Sequence, residues 1–496
     1  MTETIRFVNA TVFQGLGLPL LDSLTITGDR VVDWRTEPDR IVDCEGGAIL
    51  PAFGDAHCHP LLAARAALGP NLNDCASIEQ IRDSVRAWAL ANPEAPWIVG
   101  GFYDRDLAPQ GRFSRHLLDD LDERPIVLQA ADQHAIWVNT AALEVAGLLD
   151  GSHPFGVDLE GSEPLGTLRE DAKQFLLGFV PEPSPSTLAR SIERQLDYLA
   201  SLGIVHAMDA WVDEAGIRAY AQVESPVQVE LALWVTPDSD LSTIEPDRDV
   251  KLFVDGVIGS ATAMVREDYL CDTSHPRGVS SWQRADFERA VLTLATGNRN
   301  VFIHAIGDAA IDWVISAAAT PHRVFIEHGE MLSEDQIEII AKKGIGVCFQ
   351  PLWARNDAMM ANAILNLGNQ RAEKMYPLAE LDLAGGAFAF GSDWPVSSAD
   401  PLLGIYTAVT RQVPGGNSIH NESNRISLER AIAAYTTGDT DAKPGAREIR
   451  QPRTLEVGAR ADFVIIGGDP FKDIELLAEL KVEQTFSGGK VIFSRH

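Results

Sequence analysis

The sequence predicts an α/β protein. Its parts are a (β/α)8 TIM-like barrel, a small β-sandwich domain built from both chain ends, and a subdomain inserted after the first barrel strand. Three observations predict this. Short apolar runs alternate with helical patterns through the middle of the chain, as parallel strands buried on both faces do. Turn-bounded β-rich runs are confined to the two ends. One interval is far too long for a βα connection: about 140 residues separate His59 from Gly203, against roughly thirty per βα step in such barrels.

The N-terminal runs are IRFVNATVF (5–13), SLTITGDRVVDW and DRIVDCEGGAILPAF; the C-terminal ones are ADFVIIGGDP (461–470) and VEQTFSGGKVIF (482–493). Their turn residues predict antiparallel strands, and residues 1–50 plus 441–496 are assigned to one small domain. Ser487-Gly488-Gly489-Lys490 is too short for a phosphate-binding loop and reads as a hairpin turn.

Residues 51–440 are assigned to the barrel, whose first strand run begins slightly earlier. The eight runs are AILPAFGDAH (48–57), GIVHAMDA (203–210), VQVELALWV (227–235), VKLFVDG (250–256), NVFIHAIGD (300–308), RVFIEHGE (323–330), IGVCFQP (345–351) and FAFGSDWP (388–395). Helical patterns such as RADFERAVLTLATGN (284–298) and SEDQIEIIAKKG (333–344) separate them. The long interval, about 62–200, carries its own helical patterns (77–92 and 187–203) and the strand-like WIVGGFY and PIVLQAAD. It is expected to sit over the barrel mouth as a lid or pocket wall.

Composition excludes more than it names. The chain has 496 residues, with 41 Lys plus Arg against 71 Asp plus Glu, a formal charge of −30. A field of that sign repels nucleic-acid phosphates and anionic lipid. No run of eighteen apolar residues offers a membrane span, and the first residues lack the pattern of a signal peptide. The five cysteines form no Cys-x-x-Cys motif, which fits a reduced, cytoplasmic compartment. A small-molecule substrate is therefore expected, with homo-oligomerisation left open.

Five segments place metal-binding side chains at or near strand ends. His57 and His59 flank Cys58, so alternation turns both imidazoles to one side. They either share one metal or are two polar core residues. Lys251 opens a buried strand, either snorkelling to its edge or carboxylated to a carbamate with two oxygens for metal. His304 and His328 lie on neighbouring strands; each alone reads as a satisfied core histidine. Asp393 follows the eighth strand, as a turn cap or as a ligand and general base. These residues converge only if the barrel closes, so the set is far more specific than any member.

The set resembles that of the amidohydrolase superfamily. The surrounding phrases resemble its YtcJ-like branch, amidohydrolase family 3, which includes N-substituted formamide deformylase. They are PAFGDAHCH, VKLFVDGVIGS, FIHAIGDAAI, FIEHGE, FQPLW and GSDWPVSSADPL, with WIVGGFYDRDL, RPIVLQAADQHAIWVNTAAL and PLGTLREDA in the insertion and ARADFVIIGGDP and GGKVIF near the C-terminus. The resemblance implies that His57, His59 and Asp393 bind a first metal and that His304 and His328 bind a second. It also implies a carboxylated Lys251 as bridge and Asp393 as the base that activates water. One or two divalent ions are implied, zinc by default for such donors. The chain departs from the family at Phe102-Tyr103-Asp104, where a Trp-Asp pair is common, and at Asp132-Gln133-His134, where Asp-Gly-His is common.

The implied reaction is hydrolysis of a non-peptide amide-type C–N bond, such as that of an N-formyl or N-acyl amine. Cyclic amide hydrolysis, deamination, isomerisation and a non-catalytic scaffold are the alternatives. No Gly-x-Ser-x-Gly elbow supports a serine hydrolase. His134, Asp104, Trp394, Trp353 and Glu170 are the candidates for holding substrate. For His134, Glu170 and the two tryptophans the plain readings are a backbone-bonded strand-end histidine, a solvated helix-start cap and core aromatics.

Overall fold

The structure is a computed structural model, and it describes residues 3–131, 135–150, 153–271, 274–320, 323–436 and 453–495. It divides into two compact units, Met1–His59 with Leu196–Ile217 and Glu224–His496, and Pro60–Gln195 with Arg218–Val223.

The first unit holds eight parallel strands in sequence order. They are Phe53–Cys58, Ile204–Val212, Gln228–Trp234, Val250–Phe253, Val301–Ala305, Val324–His328, Gly346–Phe349 and Phe388–Phe390. Each of the eight runs expected from the sequence overlaps one of these strands. Val301–Ala305, Val324–His328 and Gly346–Phe349 are buried at every position, which is why their sequences are apolar without alternation. The helices between them bury one stripe each. Arg284–Leu294 buries Phe287, Ala290, Val291 and Leu294, while Glu334–Lys343 starts in a Ser333/Gln336 capping box and ends on left-handed Gly344.

The two ends of this strand order meet. Asp393 N–H donates to the His57 carbonyl (2.7 Å), and His59 N–H donates to the Trp394 carbonyl (2.7 Å). Asp55 accepts from the backbone N–H groups of His57 (3.2 Å) and Ser392 (3.0 Å), and from the Ser392 hydroxyl. Gly391 permits this approach, because a Cβ there would lie 2.6 Å from the His57 backbone nitrogen. The sheet is thus nearly closed into a barrel.

The first expected run, AILPAFGDAH, proves to hold two strands. Ala48–Pro51 leaves the barrel and pairs with Phe463–Ile466, while Phe53–Cys58 enters it. Through that pairing the chain ends share one eight-stranded sheet. The sheet is mixed, not wholly antiparallel as expected: Arg40–Asp43 and Ala48–Pro51 run parallel to Thr4–Phe13. The hairpin Leu20–Thr27 to Arg30–Val31 carries the chain back before Arg40, which permits the parallel pairing. Phe7, Phe463 and Phe486 anchor its core, the last two stacked at 4.2 Å.

The second unit has its own five-stranded sheet, ordered Val157–Glu160, Glu163–Arg169, Ala135–Val138, Ile126–Ala130, Ile98–Tyr103. Its core includes Tyr103, Phe113 and Trp137, with ring centroids 4.9 and 4.8 Å apart along that series. Among the described residues no helix is long and apolar enough to cross a membrane.

Candidate metal centre

Five side chains, His57, His59, His304, His328 and Asp393, gather at or beyond the carboxyl ends of four barrel strands, and Lys251, the second residue of its own strand, faces the same space. His57 and His59 leave the first strand with ring centroids 5.0 Å apart. His328 lies 4.9 Å from His57 and 4.5 Å from His304. Asp393 reaches back from beyond the eighth strand, its Oδ1 2.8 Å from His59 Nε2 and 3.4 Å from His57 Nε2. Lys251 is fully buried, and its ammonium lies 5.0 Å from the Phe253 ring.

Backbone shape sets two of these positions. His328 and Asp393 have φ of 74° and 56°, the left-handed region that non-glycine residues seldom occupy. Strand alternation alone would turn Glu327 and His328 to opposite faces. The left-handed turn at His328 instead brings its ring beside His304 while Glu327 stays next to His57. Such local strain costs of order 1–3 kcal/mol and persists where a site requires it.

Three imidazoles are fixed by a partner on one nitrogen. Glu327 Oε2 pairs with His57 Nδ1. Gln350 Oε1 pairs with His328 Nδ1 at 2.8 Å, and the Gly256 carbonyl with His304 Nε2 at 3.0 Å. Each partner leaves the other ring nitrogen as a potential donor. Glu327 and Gln350 were not singled out in the sequence. The signal for Glu327 was available, because a charged residue inside the apolar run RVFIEHGE poses the same question as Lys251 in its own strand. Gln350, a polar residue in IGVCFQP, carried a weaker version of that signal.

Charge in this closed space is strongly perturbed. Burial and the Lys251 charge push His57 down, but the Glu327 and Asp393 carboxylates outweigh them and raise it. Burial lowers His59, takes His304 to about 3, and takes His328 well down with help from His304 and His57. His304 and His328 are therefore neutral near pH 7, the state that offers a lone pair to a metal. Burial alone would raise Asp393, but hydrogen bonds from His57 and His59 hold it well below the ordinary range. Burial drops Lys251 to about 8.

These residues fit a divalent cation. One ligand atom each from His57, His328 and Asp393 lies within 4.8 Å of the other two. The Lys251 nitrogen is buried without a hydrogen-bond partner, as is Nδ1 of His59. Imidazole nitrogens and a carboxylate oxygen are donors of the kind that hold divalent cations.

The other sequence candidates fall differently. Trp353 is buried and stacks parallel to His328, 5.8 Å between centroids and 11° between planes. Trp394 packs its ring on Tyr198 at 5.4 Å and borders the centre through its backbone carbonyl. Asp104 is exposed and caps the short helix Arg105–Leu107 by accepting from Asp106 N–H at 2.9 Å. Glu170 is exposed and opens the helix Glu170–Leu177. Both belong to the second unit. His134 lies outside the described residues.

The chain is 26% identical to LONG AFTER FAR-RED 3 of Arabidopsis thaliana, over 98% of this chain and 91% of that protein. It is 23% identical to the N-substituted formamide deformylase of Arthrobacter pascens, over 95% of each. It shares its fold with an uncharacterized metal-dependent hydrolase from Pyrococcus horikoshii OT3, at a TM-score of 0.75 and 23% identity, covering 95% of this chain and 99% of that one. The sequence model of the amidohydrolase family matches residues 40–493. The chain therefore belongs to the amidohydrolase family and is a hydrolase acting on carbon–nitrogen bonds.

Proposed function

We propose that the protein hydrolyses an amide-type, non-peptide C–N bond in a small molecule, an N-formyl or N-acyl amine, at a zinc centre. The observation that carries this reading is Asp393 Oδ1 lying close to the Nε2 atoms of both His57 (3.4 Å) and His59 (2.8 Å). When bound, a divalent cation supplies Lewis acidity, polarising a carbonyl and making an attacking water more acidic.

The chain's own residues do the rest. Asp393 takes the proton from water as it attacks the carbonyl carbon, then passes it to the departing amine nitrogen. His57, His59, His304 and His328 are the nitrogen donors. Lys251, once its amine had added carbon dioxide and released a proton, would offer the carbamate oxygens to a bound cation; burial favours the neutral amine that this carboxylation requires. Trp353, flat against His328, forms an apolar wall that restricts water and packs against the substrate. The 23% identical formamide deformylase motivates the N-formyl class.

A hydrolysis screen of zinc-loaded protein tests this reading. N-formyl and N-acetyl amines, hydantoins and lactams would be compared by amine release or ring opening. Turnover is expected on an N-formyl or N-acyl amine. Turnover confined to the cyclic amides would replace that substrate class.

A further inference from the structure

Glu327 is a buried carboxylate, 1% exposed, that approaches the centre from behind one of its histidines. It pairs with Nδ1 of His57, while Nε2 of the same ring faces Asp393. Burying a carboxylate is unfavourable unless a partner compensates it. Here the compensating partner is the Nδ1 side of the His57 ring. His328 is held by the neutral Gln350 amide and His304 by the Gly256 carbonyl, with Asp255 Oδ1 beyond hydrogen-bond reach at 3.8 Å, so His57 is the ring of these three with a carboxylate hydrogen-bonded behind it.

We propose that Glu327 is a positioning residue for His57. It accepts from Nδ1–H, fixes the tautomer whose Nε2 lone pair points into the centre, and holds the ring plane there. A carboxylate in this place also makes the imidazole a stronger donor to a cation. Glu327 touches neither substrate nor the reacting atoms. Its effect passes through His57, and the inference rests on the metal reading given above.

Zinc binding separates this role from a merely structural one. Wild type, Glu327→Gln and Glu327→Ala would be stripped of metal, checked by thermal melting, and titrated with zinc against a chromophoric chelator. Glu327→Gln keeps the shape and an acceptor oxygen but loses the charge. It is expected to melt near wild type and to bind zinc about tenfold more weakly, with Glu327→Ala nearer a hundredfold. Wild-type zinc affinity in a folded Glu327→Gln would overturn the proposal, as would a loss of melting temperature with no change in affinity. If wild type itself binds no zinc, the metal reading fails first, and the positioning role with it.

Discussion

Replacing Asp393 by Asn is expected to lower turnover of an N-formyl or N-acyl amine by about 10²–10⁴-fold while leaving the fold intact. The substitution is well matched to its site. Asn is among the side chains that tolerate the left-handed backbone found here, φ 56°, so the turn after the eighth strand survives. Its amide oxygen still accepts from His59, which lies 2.8 Å from the present Oδ1. What is lost is the negative charge and the ability to take a proton. Steady-state kinetics with metal content measured on the same sample checks the outcome. A metal-loaded Asp393→Asn with turnover within a few-fold of wild type would remove Asp393 as the base.

Lys251→Met is expected to move stability and activity in opposite directions. The lysine nitrogen is buried with no hydrogen-bond partner, and the closed space has dropped its pKa from 10.5 to about 8. In metal-free protein, an apolar side chain of similar length should therefore stabilise the fold by about 1–3 kcal/mol. The gain depends on pH in a defined sense. Between about 8 and 10.5 the unfolded chain holds a proton that the folded one has released. Wild-type stability consequently rises with pH across that window. The advantage of the Met variant is thus largest below about 8 and shrinks toward 10.5. Activity should fall by about a hundredfold or more. On the proposed carboxylated form of Lys251 the carbamate oxygens would be lost, and with them several kcal/mol of transition-state stabilisation, at about 1.36 kcal/mol per tenfold. Urea melts of the metal-free proteins near pH 7 and near pH 10, with kinetics of the zinc-loaded forms, measure both. A Met variant that is less stable at neutral pH, or that keeps wild-type turnover, contradicts the assignment.

How much of this is legible in the sequence depends on which physical signal each element leaves. Barrel strands such as VFIHA and VFIEH are buried on both faces, so apolar runs disclose them without alternation. His57 and His59 are two residues apart, and the strand period alone places them together. The boundary inside AILPAFGDAH left no signal, because both strands are buried and only Ala52 divides them. The parallel pairs in the end sheet were equally hidden, since they depend on where a distant hairpin returns the chain. Glu327 and His328 cannot both face inward by alternation alone. Counting by twos puts Glu327 on the inner face, in register with His304, and turns His328 outward. The left-handed turn at His328 lets both point inward, and nothing in the residue types announces a positive φ there. Glu170 leaves a different ambiguity, because an acid at a helix start looks the same in sequence whether it binds a substrate or caps a turn.

The central claim is that this cluster is a metal centre on which hydrolysis depends. The most direct measurement is the metal content of protein purified without added metal, taken together with turnover before and after chelation. We expect one or two equivalents of zinc or a similar divalent ion, loss of hydrolysis on chelation, and recovery when zinc is returned. Metal-free protein that hydrolyses its substrate at the full rate would contradict it.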